Sequence, residues 1–171
     1  MKKQNPAKLV FSILVCQVAG LLGSVFTSSS IPTGYATLRK LWFNPPDWLF
    51  APVWTLLFLM MGISLYLVLT KSFREKKVKS GLLFFGVQLA LNILWSFLFF
   101  YLKNPLFGFI EILVLWVAIL LTILKFWKID RKAAYLLLPY IFWVSFATVL
   151  NLSIYVLNVW DYDLSGCCTC C

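Results

Sequence analysis

Residues 42–54 read WFNPPDWLFAPVW, which sets three tryptophans and three prolines into thirteen positions and leads straight into a long apolar run. The NPPD at its centre reads as the start of a helix. Asn44 suits the N-cap, Pro45 the first helical position, and Asp47 the third, where a carboxylate favours the helix dipole. Pro52 then falls inside the helix, where it cannot donate to the carbonyl of Trp48, so a kink is expected there. The apolar residues that follow, Leu49–Thr70, match the ~20 needed to cross a bilayer. Trp42 and Trp48 fit two roles equally, an interfacial anchor or the wall of a pocket for a flat ligand. Trp54 lies deeper, where an unpaired indole N–H is less comfortable, and a pocket role suits it better.

Working outward, the rest of the chain has the same character. Of its 171 residues 62% are hydrophobic and 12% charged, against about 45–50% and 25% in a soluble domain. Five apolar runs of spanning length recur, at about 9–26, 49–70, 81–102, 106–124 and 133–157. In lipid only helices or closed barrels satisfy the backbone, and none of the runs alternates as barrel strands do. The fold class expected is therefore an all-α integral membrane protein, a bundle of five transmembrane helices occupying residues 1–160. A short Cys-rich tail, 161–171, is expected to be disordered. Lys2, Lys3 and Lys8 before the first run resemble a signal peptide, but that run is longer than a signal's apolar core and no cleavage pattern follows it. It reads as a retained helix.

The net charge of +9 lies in clusters between the apolar runs, which points to orientation in a membrane and away from nucleic acid. Twelve Lys and Arg fall on the side of the N-terminus and the second and fourth loops, and three (Arg39, Lys40, Lys103) on the other. The positive-inside rule then places the N-terminus in the cytoplasm and the C-terminus outside. The chain has no His and six acids, which leaves almost nothing for metal hydrolysis or His-based acid–base chemistry; no metal ligands or resident cofactor are assigned. The third loop, 103–105, is short enough to make helices three and four an antiparallel hairpin. The first loop, roughly 27–48, is the longest, and long loops often cover binding sites.

Helix three carries QLALNILW (88–95), with Gln88 and Asn92 on one face and Trp95 beside them. Two amides at that depth read equally as interhelical glue and as polar contacts for a ligand. On helix five, LPYIFWVSFATVLN (138–151) puts Trp143, Ala147 and Asn151 on one face, with a second kink expected from Pro139. The small Ala147, one turn from Trp143, suggests a gap where a planar molecule lies against the indole.

These residues carry a resemblance. GLLGSVF in helix one, YATLRKLWFNPPDWLFAPVW with MGISLYLV in helix two, QLALNILWSFLFF in helix three and PYIFWVSFATVLN in helix five resemble the TspO/MBR family. These are the tryptophan-rich sensory proteins, whose animal members include the peripheral benzodiazepine receptor. The resemblance covers nearly the whole chain. It implies a five-helix membrane receptor that binds porphyrins, and in some members sterols and drugs, in a pocket beneath the first loop and takes part in their transport. Carried over, the pocket residues are Trp42, Trp54, Asn92, Trp95, Trp143 and Ala147. It also implies an alternative, light-dependent porphyrin breakdown with Trp54 and Trp143 as the redox residues. The implied location is the bacterial cell membrane, or the mitochondrial outer membrane in a eukaryote. A third class, an ion- or small-molecule transporter, lacks the inverted repeats and paired intramembrane charges such proteins show.

Some features depart from the family or lie outside its pattern. KLWF (40–43) stands where the family often has Lys-Pro-Ser-Trp. YVLNVW (155–160) lacks the basic residue of the animal sterol motif, and LFFYLK (98–103) fits only the loose sterol pattern. Glu111, just over a turn into helix four, is expected to snorkel or to pair with Arg39 and Lys40. Gly86 and Ala90 form a small-xxx-small pair suited to a homodimer through helix three. The terminal GCCTCC (166–171) is too crowded for a tetrahedral zinc site.

The charge split makes the orientation testable. A membrane-impermeant thiol reagent should label the Cys167–Cys171 cluster on intact cells; labelling only after permeabilisation would reverse the assignment.

Overall fold

The computed structural model describes residues 6–30, 47–72, 74–102 and 105–166. Among these the regular structure is all helical: α1 (Pro6–Ser30), α2 (Asp47–Leu69), α3 (Lys76–Ser96), α4 (Pro105–Trp127), α5 (Arg131–Leu136) and α6 (Leu138–Gly166). A π-helical turn, Phe97–Tyr101, extends α3. Five stretches are long and apolar enough to cross a membrane: Pro6–Val25, Trp48–Leu69, Lys76–Phe99, Leu106–Trp127 and Arg131–Leu157. The last combines α5 with the first part of α6. This is the five-helix, all-α architecture expected from the sequence.

The boundaries differ in ways the side chains explain. α3 starts at Lys76, five residues before the apolar run, because lysine is a good helix former and its long stem tolerates a helix end. α2 continues unbroken through Pro52, while the cap expected at Asn44 and Pro45 lies outside the described residues. The break comes in the fifth span, at Leu137 (φ −91°, ψ −9°), whose N–H bonds back to Ala134 at 3.1 Å. Pro139, two residues on, has no N–H for the carbonyl of Tyr135, and its ring crowds that carbonyl. α6 then runs to Gly166, which takes in the first six residues of the segment read as a disordered tail; no proline or glycine interrupts 158–165. Residues 167–171 lie outside the described set.

The most extensive packing is between α3 and α4 and between α1 and α2; α4 with α6 and α1 with α3 close the bundle. Lipid tails are as apolar as the helices, so close contact and hydrogen bonds must supply the association. At Gly62 of α2 a Cβ would lie 2.7 Å from the Cα of Ile13, so here α1 and α2 touch main chain to main chain. Ser64 Oγ donates to the Ala133 carbonyl at 2.7 Å, tying α2 to α5. Trp116 Nε1 donates to Ser145 Oγ at 2.8 Å, tying α4 to α6. Beyond the end of α4, Asp130 caps α5 by accepting from the Lys132 N–H at 2.9 Å and pairs with Lys71 Nζ at 2.7 Å. Burial pushes the Asp130 carboxyl up, but the Lys71 ammonium and the N–H groups of Lys132 and Ala133 outweigh it and hold it below its ordinary value.

The close crossing predicts a contrast between two glycines. Gly62→Ala forces a methyl onto main chain that cannot swing aside and should cost ~1–3 kcal/mol, read as a melting temperature several degrees lower in detergent. A Cβ at Gly86 meets nothing within 4 Å, so Gly86→Ala should match or exceed the parent by up to about 1 kcal/mol of helix propensity. Equal melting for the two variants would mean that the α1–α2 contact does not hold the bundle.

Candidate functional site

Helical spacing builds two facing stripes. On α2, Leu49, Val53, Leu56, Leu57 and Met60 recur every three or four residues; on α6, Pro139, Phe142, Trp143 and Phe146 do the same. The backbones of α2 and α6 stay apart along nearly their whole lengths, and the two stripes wall a groove of about 630 Å³ between them. That volume lies within the roughly 300–1,000 Å³ of small-molecule sites. One wall is branched or flexible aliphatic, the other predominantly aromatic. Leu56 and Phe142 are exposed, so the groove opens sideways, toward lipid.

Among the described residues, Trp143 is the one predicted site residue on the groove wall. Phe50 meets it edge-on at 6.1 Å (75°), and Phe146 lies tilted against it at 5.8 Å. Its indole N–H is buried and has no hydrogen-bond partner among the described residues. Next to the groove lies a second aromatic group. Trp54 packs on Phe58 at 5.7 Å, on Trp95 at 6.2 Å and on Tyr140 at 6.3 Å, and Trp95 stacks on Phe99 at 5.6 Å. Asn92 Nδ2 donates to the Tyr140 hydroxyl at 3.0 Å, deep in the interior.

The structure therefore divides the predicted set. Trp54, Asn92 and Trp95 come together in the interior, and Trp143 stands apart on the groove. Ala147 is buried in the core and does not line the groove, and its carbonyl accepts from Asn151 Nδ2 at 2.8 Å. Trp42 lies outside the described residues. Of the two amides in helix three, Asn92 links helices, whereas both amide atoms of the buried Gln88 lack a partner among the described residues.

Sequence reasoning missed Tyr140, although a tyrosine in an apolar run needs a partner for its hydroxyl and Asn92 was in view. It also missed Phe142 and Phe146, which are i, i+4 neighbours on α6 but whose facing of the α2 stripe needs the third dimension. The snorkelling expected of Glu111 is not found. It is 6% exposed, and neither carboxylate oxygen has a partner among the described residues; Arg39 and Lys40 lie outside them. Its position explains this. Gly108, Glu111, Ile112, Leu115, Ala118, Ile119 and Thr122 form the buried stripe of α4, so the carboxylate points into the bundle.

A family model described as the TspO/MBR family matches residues 12–157. The chain is 47% identical over 155 residues to tryptophan-rich protein TspO of Archaeoglobus fulgidus, covering 90% of this chain and 99% of that one. It is 45% identical over 150 residues to tryptophan-rich protein TspO of Chlorobaculum tepidum, covering 88% and 95%. It is 36% identical over 132 residues to the translocator protein of Homo sapiens, covering 76% and 78%.

The Asn92–Tyr140 bond gives a stability prediction. Tyr140→Phe removes the acceptor and leaves Asn92 Nδ2 unsatisfied in the interior, which should cost ~1–3 kcal/mol. Adding Asn92→Leu removes the stranded donor as well, so the double variant should melt above Tyr140→Phe alone. Strictly additive losses, measured by thermal unfolding in detergent, would show that the two side chains do not act as a pair.

Proposed function

The chain belongs to the TspO/MBR family and is an integral multi-pass membrane protein of the sensor or receptor kind, and on that premise we propose that it binds tetrapyrroles of the protoporphyrin type in the groove between α2 and α6. The observation that carries the reading is the wall formed by Phe142, Trp143 and Phe146 facing the aliphatic stripe of α2 across about 630 Å³. A planar macrocycle buries one face on aromatic rings and the other on aliphatic side chains, and each aromatic contact adds about 0.5–1.5 kcal/mol beyond the area buried. The unpaired Trp143 N–H offers a donor to a polar edge of the ligand. The sideways opening suits a ligand already dissolved in the bilayer. Trp54 meets Trp95 and Tyr140 in the neighbouring aromatic group, and Trp42 is assigned to the pocket by the family resemblance alone. Transport of the bound tetrapyrrole is part of the proposal, as is the orientation with the N-terminus in the cytoplasm that the charge split indicates.

A second reading, photo-oxidative porphyrin breakdown, is favoured by one feature: Trp143 on the groove and Trp54 in the adjoining aromatic group are both oxidisable indoles. One experiment separates the two. Protoporphyrin is titrated into the purified protein in the dark, read by tryptophan quenching, and then illuminated while its absorbance is followed. Trp143→Phe should weaken binding about fivefold, on the order of 1 kcal/mol. Trp48→Phe, at a position 71% exposed and not lining the groove, should change nothing. Loss of light-dependent bleaching far beyond the loss of binding would make the protein an enzyme. Undiminished affinity both in Trp143→Phe and in Leu57→Trp, which fills the groove, would remove the ligand from this site.

A further inference from the structure

Two basic segments far apart in sequence form one surface. Lys71, Arg74, Lys76, Lys77 and Lys79 surround the turn between α2 and α3; Lys125, Lys128, Arg131 and Lys132 surround the turn between α4 and α5. The ion pair between Lys71 and Asp130 at 2.7 Å joins these turns at one end of the bundle. Of the chain's six acids only Glu75 and Asp130 lie in these segments. Each is already engaged, Glu75 by Lys77 at 2.9 Å and Asp130 by Lys71. The remaining cations exceed anything these acids can neutralise.

The surface also has an aromatic half. Trp127, the last residue of α4, and Tyr135 in α5 are both exposed and meet edge-on at 5.2 Å. The guanidinium of Arg131 lies 5.8 Å above the Trp127 ring, and Lys128 and Lys132 are exposed on the same turn. One spanning stretch ends at Trp127 and the next begins at Arg131, so this pair sits where hydrocarbon gives way to water, the level that indole and phenol rings favour.

We propose that this end of the bundle is a binding site for acidic phospholipids. Lys128, Arg131 and Lys132 hold the headgroup phosphate, and the Trp127–Tyr135 pair packs on the glycerol and upper acyl chain. Charge complementarity selects an anionic headgroup. The exposed aromatic pair at the end of a span selects a lipid over a nucleic acid or an acidic protein, either of which would leave those rings against water. The assignment is independent of any ligand in the groove.

The test uses the full chain in phosphatidylcholine nanodiscs doped with brominated phosphatidylglycerol or, separately, brominated phosphatidylcholine, with tryptophan fluorescence as readout. The anionic lipid should quench at a lower mole fraction than the neutral one, and the excess quenching should be absent in Trp127→Phe. Each cation near an anionic surface contributes about a fivefold preference. Lys128→Gln/Arg131→Gln/Lys132→Gln should therefore lose roughly a hundredfold, while Arg131→Lys, which keeps the charge, retains most of it. Added salt should weaken the preference, and inorganic phosphate at matched ionic strength should weaken it no further. Far-UV circular dichroism of each variant confirms the helices. Equal quenching by the two lipids in the parent, or a preference undiminished in the folded triple variant, would overturn the site. So would a fluorescent oligonucleotide that binds neutral nanodiscs through these cations while no lipid preference appears.

Discussion

A peptide group inside a bilayer has no water to bond, and each unsatisfied N–H or C=O costs several kcal/mol there. Most of the rest follows from that constraint. Every spanning stretch is helical, and the one break within a span, at Leu137, keeps an N–H to C=O bond of 3.1 Å across the interruption. Serine and threonine hydroxyls obey the same rule by turning back on their own helices, as Thr122 does to Ala118 and Thr148 to Val144, both at 2.8 Å. Where a side chain can reach a neighbouring helix, the satisfied bond becomes a tie, as in Ser64 to Ala133 and Trp116 to Ser145.

The same solvent removes the usual force between helices. Apolar surface gains little by leaving lipid for a neighbouring helix, so shape and close approach decide which helices pair. Gly62 lets α2 settle on Ile13 of α1, and Gly81 lies where a Cβ would meet Ile129 and Phe126. Against these tight crossings, the bulky facing stripes of α2 and α6 keep their backbones apart. The groove is the consequence, and the aromatic residues that separate the helices are also those that give it a binding wall.

Polar groups left over from this packing mark where the bundle is not simply a stack of apolar rods. Gln88, Glu111 and Asn151 each keep at least one buried oxygen or nitrogen without a partner among the described residues. They lie on α3, α4 and α6, and α4 packs on both of the others. At the end of the molecule where lysines and arginines gather, cations and exposed rings lie side by side, as expected where a helix leaves hydrocarbon for the headgroup layer.

Composition and run length alone determine five membrane helices, because the length needed to cross a bilayer and the demand for backbone hydrogen bonds leave no other solution for this chain. Motif spacing also identified Trp54, Asn92, Trp95 and Trp143 as unusual, since indoles and amides at that depth need a reason. What spacing could not reveal is which face of each helix meets which neighbour. Leu56 is exposed and Leu57 buried, yet in lipid both faces of a helix are apolar, so the contrast that marks the inside of a soluble protein is missing. Tyr140 as the partner of Asn92, Trp143 separated from Trp54, Glu111 turned inward and two distant basic turns joined by Lys71 and Asp130 are all products of how the helices pack. Only the tertiary structure decides them, because each depends on a contact between residues whose separation in sequence carries no trace of their proximity.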